Sequence, residues 1–222
     1  MQKFDSRMNL AEEVANVLRD MILDGRLPAG DRINEVQLAA EIGVSRTPVR
    51  EALSRLVNEG ALDEVPRHGF FVRRLTAEEF QQIYPMRAIL DPAALRLAGI
   101  PSEKTIAKLR ELNGKFARST SRSVAVRLDD EFHLQLLNHC SNRILVDLIR
   151  QFMWRTRRYE LALMGRFEGV SASAEAHQQI IEALAAGDLE RACGALETNM
   201  RQGEQPILSW LTQSKAREGS EV

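Results

Sequence analysis

Cysteine is scarce: Cys140 and Cys193 are the only two among 222 residues. Two isolated thiols suit neither a disulfide scaffold nor a paired-cysteine zinc site, so a reducing compartment, the cytoplasm, is expected. Aromatic residues make up only 5% of the chain. No apolar run approaches the roughly 20 residues that a membrane-spanning helix needs. The opening stretch MQKFDSRMNL has neither an apolar segment nor a cleavage pattern for secretion. Net charge is nearly absent as well, with 30 Lys and Arg against 31 Asp and Glu. That balance argues against a broad, sequence-blind binder of polyanions. A local basic patch is still compatible with it, because salt screens exposed charges beyond about 8 Å.

What is present is an ordinary apolar fraction, 44%, in a chain long enough for one large or two small domains. Leu10, Val14, Val17, Leu18, Met21 and Ile22 recur at helical spacing and predict a helix that stops near Gly25, before the turn LPAGD. Asn34 stands where a helix cap belongs, with Gln37 in the place a capping box wants. Leu38, Ala39 and Ile42 form the inner stripe of that second helix, and Gly43 ends it. Ser45 is placed to cap a third helix with inner face Val49, Leu53, Leu56 and Val57, and Pro48 falls in its first turn, where a missing N–H is tolerated. After Gly60 the period changes: ALDEV and FFVRRL are β-prone runs separated by the turn PRHG. Three helices and a hairpin in about 75 residues make the plan of a winged helix-turn-helix. Thr76 and Glu79 then form a Thr-x-x-Glu capping signature that opens an all-helical segment. Its helices are expected from EEFQQIYPMRAILDPAALRLAG, kinked at Pro85 and Pro92, and over 102–118, 123–140, 142–164, 173–186 and 188–212. GRFEGVSASA reads as a loop and TQSKAREGSEV as a frayed tail. The expected fold is therefore mainly α. A winged helix-turn-helix occupies 1–75 and an all-α six-helix bundle occupies 76–222.

In a helix-turn-helix the second helix enters the major groove and its N-terminal residues meet base edges. Ser45, Arg46, Thr47 and Arg50 occupy those positions. Arg46 and Arg50 share a face because they are four apart, and an arginine fork bonds guanine O6 and N7 bidentately. From Ile42 to Arg74 six arginines stand against four acids, a local balance of +2 in a chain of −1. His68 and Gly69 at the wing tip suit a phosphate or minor-groove contact. On spacing alone, the two arginines also fit a solvated face on which Arg50 pairs with nearby acids.

Asp129 and His133, also four apart, project from one helix face, a spacing that suits two ligands on one metal ion. His177 lies ahead of Ile180, Ile181 and Leu184, and Asn199 follows Ala192 and Leu196, so both read as inward-facing. Three helices would then aim polar groups into one apolar bundle. Oxygen and imidazole donors suit zinc, nickel, manganese or iron. A buried histidine hydrogen-bonded to its helix neighbour is the plain alternative. His139 and Asp130 read as surface residues, and Arg157 and Arg158 as bordering the pocket or simply solvated.

The stretch LRDMILDGRLPAGDRINEVQLAAEIGVSRTPVREALSRLVNEGALDEVPRHGFFV resembles the DNA-binding domain of GntR-family bacterial transcription regulators, with GVSRTPVREAL the most specific part. IYPMRAILDPAALRLA and DDEFHLQLLNHCSNRIL resemble the all-helical effector domain of the FadR subfamily, called FCD, in its shorter VanR-like form. The resemblance implies DNA contacts from Arg46, Thr47, Arg50, His68 and Gly69. It departs at Val36, where FadR-like members often carry an arginine after the glutamate. It also implies a divalent metal site, since metal-binding FCD domains use an aspartate and three histidines. Asp129, His133 and His177 match that pattern, and Asn199 stands in place of the third histidine. Arg87 falls where the family often places a cavity arginine, whose fork suits a carboxylate; a salt bridge to Asp91 is the alternative.

These readings converge on a homodimeric regulator, a repressor, that binds a palindromic double-stranded DNA operator and no membrane. It would be released by a small carboxylate held in the C-terminal domain, at a zinc, nickel or manganese site. No catalytic residue is assigned. The rival is a metal-dependent hydrolase or lyase fused to a DNA-binding domain, which needs a general base beside an open metal position. Asp130 and Glu131 are its nearest candidates, and neither reads as aimed inward. A metal-free ligand-binding or dimerisation domain is the third reading.

Overall fold

The computed structural model describes residues 5–163 and 170–218, and the chain divides into two compact units, residues 1–75 and 76–222. In the first unit, α1 (Asp5–Leu23) packs on α3 (Arg46–Asn58), which also carries α2 (Glu35–Ile42). The interior is built from the apolar stripes that the helical period marks: Val14, Ala15 and Leu18 meet Val49, Leu53 and Leu56, all essentially inaccessible. A bidentate pair from Arg19 to Glu59, at 2.9 and 2.6 Å, joins α1 to the residue just after α3. The Asn34 side chain accepts from the backbone N–H groups of Val36 and Gln37, and Gly43 closes α2 in the left-handed conformation that glycine adopts without a Cβ penalty. Ser45 stands at the cap position of α3 with extended backbone, yet its hydroxyl makes no capping bond. The expectation that its side chain caps the helix is thus corrected.

Strands β1 (Leu62–Val65) and β2 (Gly69–Val72) pair antiparallel with Leu62 opposite Val72. The hairpin turn places Arg67 at φ 66 and Gly69 at φ 92, ahead of a strand that buries Phe70 and Val72. The residues at the end of the turn LPAGD and just after it run alongside β2, a pairing that the sequence reading did not include. Gly30 N–H donates to Val72 at 2.7 Å, Ile33 N–H to Phe70 at 2.8 Å, and Arg32 bridges Phe71. Backbone groups on the far side of β2 are thereby satisfied.

The second unit, among its described residues, is helical: α4 (Ala77–Ala98), α5 (Glu103–Ala117), α6 (Arg122–Leu136), α7 (Arg143–Leu163), α8 (Val170–Ala185), α9 (Leu189–Arg201) and α10 (Glu204–Glu218). Helix α4 packs on α7 and α9, and α5 lies between α6 and α8. Leu95, Leu109, Leu112, Phe132, Leu137, Ile149, Ile180 and Leu196 form the interior. The six helices read from the sequence become seven, because the segment 188–212 breaks at Gln202 and Gly203. A Cβ at Gly203 would collide with the Tyr84 hydroxyl, so the break brings the chain against α4 where a side chain has no room. Helix α4 runs unbroken through Pro85 and Pro92. Of the expected loop GRFEGVSASA, residues 170–174 are the first turn of α8 and 165–169 lie outside the described residues. The tail is helical to Glu218, and 219–222 lie outside the described residues, as do residues 1–4 of the N-terminal stretch. No helix among the described residues is long and apolar enough to cross a membrane.

Candidate functional sites

The first candidate site is the N-terminal half of α3. Ser45, Arg46, Thr47 and Arg50 are all exposed, while Pro48 and Val49 are buried beneath them. Arg46, Thr47 and Arg50 share a shallow concavity with Glu35, Glu51, Ser54 and Arg55. Other arginines of this unit are committed: Arg55 pairs with Glu12, Arg19 with Glu59, and Arg73 with Asp63 at 2.7 Å. Among the described residues no hydrogen bond or ion pair engages Arg46 or Arg50. The pairing of Arg50 with a nearby acid, open from spacing alone, is therefore not found there. His68 is exposed at the hairpin tip, beside the half-buried Gly69. Val36, the position at which the sequence departs from the expected pattern, is 59% exposed.

The second candidate site is a cavity of about 400 Å³ inside the helical unit. Tyr84 and Arg87 come to it from α4, Asp129 and His133 from α6, Thr156 and Glu160 from α7, and Asn199 from α9. Asp129 lies between two imidazoles, its Oδ2 3.7 Å from His133 Nε2 and its Oδ1 3.3 Å from His177 Nε2. One ligand atom from each of these three residues falls within 4.8 Å of the others. Phe132 stacks on His177 with ring centroids 4.0 Å apart and holds that ring in place.

The hydrogen-bond pattern decides what the cluster can hold. The Asn113 side-chain N–H donates to the Ala174 carbonyl at 3.0 Å, which fixes the amide so that its oxygen faces His177 Nδ1 at 3.2 Å. An amide oxygen only accepts, so Nδ1 carries the proton. In the neutral ring Nε2 then presents a lone pair to the Asp129 carboxylate. Two acceptors facing one another call for a cation between them, either a metal ion or a second proton. Both nitrogens of His133, Nε2 of His177 and the Asn199 oxygen are buried without a hydrogen bond. Each such group costs about 1–3 kcal/mol if left unmet. The cluster of Asp129, His133 and His177 fits a divalent ion, and Asn199, which lines the same cavity, offers a neutral oxygen donor.

The electrostatics agree. Burial holds His133 well below the ordinary histidine range, so its ring is neutral and able to ligate at neutral pH. Burial alone would raise Asp129, but positive charge facing it, a proton on the imidazole side in the metal-free protein together with Arg87, outweighs burial and keeps the carboxyl ionised, well below the usual carboxylate range. Burial and the Asp129 charge push Glu160 up to about 7 against the pull of Arg87 and Arg157. Burial opposes the charge on Arg87, and the Asp91 carboxylate outweighs it. The guanidinium bonds Asp91 through Nη2 at 2.8 Å, so the alternative pairing is realised, while its buried Nε makes no hydrogen bond. Arg87 thus holds an internal partner and still lines the cavity.

Sequence reasoning missed several residues here. Asp130, read as a surface residue, is buried and pairs with Arg157. Arg158 is buried, its guanidinium 5.8 Å from the Trp154 ring, and neither Arg157 nor Arg158 lines the cavity. His139 is exposed. Thr76 caps α4 by accepting from Glu79 N–H. The Glu79 carboxylate reaches Arg155 at 2.6 Å and the Tyr159 hydroxyl at 2.9 Å, and that hydroxyl also contacts the Thr76 backbone. Asn113, Glu160 and Tyr159 carry no motif; only an inward position on the helical period could have singled them out.

An exposed helix-turn-helix face with unengaged arginines, followed along the chain by a helical unit with an internal cavity, is the organisation of a DNA-binding protein with a second, cavity-bearing domain. Residues 10–72 match the family described as Bacterial regulatory proteins, gntR family, and residues 82–202 match the FCD domain. The chain belongs to the gntR family of bacterial regulatory proteins, with an FCD domain as its second unit. It is similar to the Nta operon transcriptional regulator of Aminobacter aminovorans, 41% identical over 58% of this chain. That match spans about three fifths of the relative's length, 62%. A "Probable D-xylose utilization operon transcriptional repressor" of Paenarthrobacter nicotinovorans is 31% identical over 86% of this chain and 85% of its own. The structure of McbR/YncC from E. coli superposes with a TM-score of 0.80 at 26% identity, covering 90% of this chain and 98% of that one.

Proposed function

We propose that this protein is a transcriptional repressor that binds a palindromic operator as a homodimer and releases it when a small carboxylate enters the cavity of the second unit. The supporting observation is the pairing of exposed, unengaged Arg46 and Arg50 with a buried cavity whose polar walls are unmet. Arg46 and Arg50 read guanines in each half-site, Thr47 and Ser45 add groove contacts, and His68 and Gly69 approach the backbone or minor groove. One winged unit spans too few base pairs for genomic specificity, so two copies related by a two-fold axis are required. Ile144, 84% exposed, and Leu148 lie four apart on α7, and Ile89 and Leu97 are exposed on α4; these apolar positions support a dimer contact in 76–222.

In the cavity, Asp129, His133, His177 and Asn199 are the residues that hold a divalent metal, which when bound offers coordination positions to a carboxylate oxygen. Arg87 directs its remaining donors toward the same ligand. Helix α7 connects the cavity to the start of the unit: Thr156 and Glu160 line the cavity, while Arg155 and Tyr159 hold Glu79 and Thr76. A ligand that favours one position of α7 therefore biases the backbone at Thr76, where the chain leaves the first unit. The hydrolase alternative draws no support from Asp130, tied to Arg157, or from the exposed Glu131. The test is operator selection from a random DNA pool with the full chain. A two-fold symmetric consensus, lost by the double variant Arg46→Ala, Arg50→Ala, is expected. An asymmetric consensus, or one unchanged in the variant, rejects the reading.

A further inference from the structure

Among the described residues, Glu160 is the carboxyl of the cavity lining that neither the DNA-binding reading nor the metal cluster absorbs. Its carboxyl lines the same space as Tyr84, Arg87 and Asp129, close enough for its charge to act on Tyr84 and Arg87 and to feel Asp129. Among the described residues no hydrogen bond or ion pair engages it. It also falls outside the group of Asp129, His133 and His177, whose ligand atoms lie within 4.8 Å of one another. An acid placed here works against a plain carboxylate ligand. Arg87 and Asp91 cancel as a buried pair. A divalent ion with Asp129 leaves a single positive charge, and ionised Glu160 brings the cavity to neutrality. A simple anion entering that space is left uncompensated, whereas a zwitterion keeps the balance and brings a cationic donor to the carboxyl. Without the ion Glu160 is pushed up to about 7 by burial and the Asp129 charge, and a cationic group beside it favours its ionised form.

We infer that the effector carries an amino group beside its carboxylate, with the carboxylate directed to Arg87 and the ammonium to Glu160. This rests on the carboxylate reading of the cavity and names the ligand class within it. The remaining lining suits such a ligand: Tyr84 and Thr156 supply hydroxyls, and Val126, Met200 and Ile207 supply apolar wall for its carbon skeleton.

The test compares matched pairs that differ only in an amino group replaced by hydroxyl: glycine and glycolate, alanine and lactate, aspartate and malate, glutamate and 2-hydroxyglutarate. Binding is measured by titration calorimetry and thermal shift on the full chain, both metal-free after dialysis and loaded with zinc. In at least one pair the amino compound is expected to bind about tenfold tighter, a difference of about 1.4 kcal/mol. Glu160→Gln should bring that ratio close to one, and Glu160→Asp, which keeps the charge, should preserve it. Because an amine also chelates zinc, the collapse of the ratio in Glu160→Gln is what assigns the preference to Glu160. Equal or reversed preference in wild type, or a ratio untouched in Glu160→Gln, overturns the inference and leaves the carboxylate pocket standing. If no compound of any pair binds, the carboxylate reading falls and this one with it.

Discussion

Arg46 and Arg50 stand unpaired in water, whereas His133, His177 and Asn199 present unpaired atoms in a buried interior. The same feature has opposite energetics in the two units. An exposed guanidinium is solvated and loses nothing by waiting, so the first unit can keep the face proposed to read DNA permanently displayed. A buried imidazole or amide without a partner costs about 1–3 kcal/mol, so the second unit is poised to gain stability from whatever fills the gap. The comparison separates a surface built for a large external polyanion from a cavity built for something small enough to enter.

The largest effect that would sharpen this contrast is metal-linked stability. At a free ion concentration 100 to 1,000 times Kd, an ion bound only by the native state stabilises it by about 2.7–4.1 kcal/mol. Zinc, nickel or manganese should raise the melting temperature of wild type, and chelator should reverse it. His133→Ala should abolish the rise while leaving operator binding intact. Absence of any shift with all three ions would break the metal half of the comparison. Next come Arg46→Ala and Arg50→Ala, each expected to weaken specific operator binding by roughly 1–3 kcal/mol and to relax base preference at one position per half-site. Binding titrations at fixed salt decide this, and unchanged melting temperature in both variants would confirm that the arginines hold nothing inside the fold.

Asn113→Ala tests the tautomer directly. Outer partners of a ligating histidine typically account for 10–100-fold in metal affinity, and a loss of about that size is expected in competition with a chromophoric chelator. Asn199→His should move affinity the other way by replacing a neutral oxygen with imidazole. The pH dependence of the metal-free protein carries two opposed signs. Below about pH 6.5 the unfolded chain takes up a proton that buried native His133 refuses, so this contribution to stability is lost as pH falls. Glu160 behaves oppositely: its native carboxyl, pushed up to about 7 by burial, keeps a proton that the unfolded chain has released, so stability falls as pH rises from the ordinary carboxylate range toward 7. Glu160→Gln should therefore match wild type near pH 4.5 and exceed it at pH 8 by on the order of 1–3 kcal/mol, read from denaturant melts. The smallest effect is that of Tyr159→Phe, which removes one hydroxyl from the Thr76 and Glu79 contacts and should lower effector-linked operator release by about 1 kcal/mol without altering operator affinity in its absence.

Local chemistry was legible wherever the interacting groups lie close in the chain. The Asn34 cap, the Gly43 turn, the Thr76 cap and the shared face of Asp129 and His133 follow from spacings of two to four residues, because helical geometry alone brings such groups together. The inward stripe of α3 could likewise be read from its period, and with it the outward placement of Arg46 and Arg50. Ser45 shows the limit of such reading: its position was legible, but whether its hydroxyl bonds inward depends on an orientation that no spacing encodes.

The remaining features were decided by contacts between distant segments. Asn113 is 64 residues from His177, and Tyr159 is 83 from Thr76. Asp130 is buried because α7 brings Arg157 against it, and the third segment of the wing exists because residues 30–33 return to β2. Sequence by itself determined most of the helices, the exposed face of α3 and the donor types available to the cavity, since those depend on local period and side-chain chemistry. Only the tertiary structure decided which donors meet, which proton His177 keeps and which carboxyl is left facing the cavity. Those outcomes depend on the exclusion of water by packing, a property of the assembled bundle that no single helix possesses.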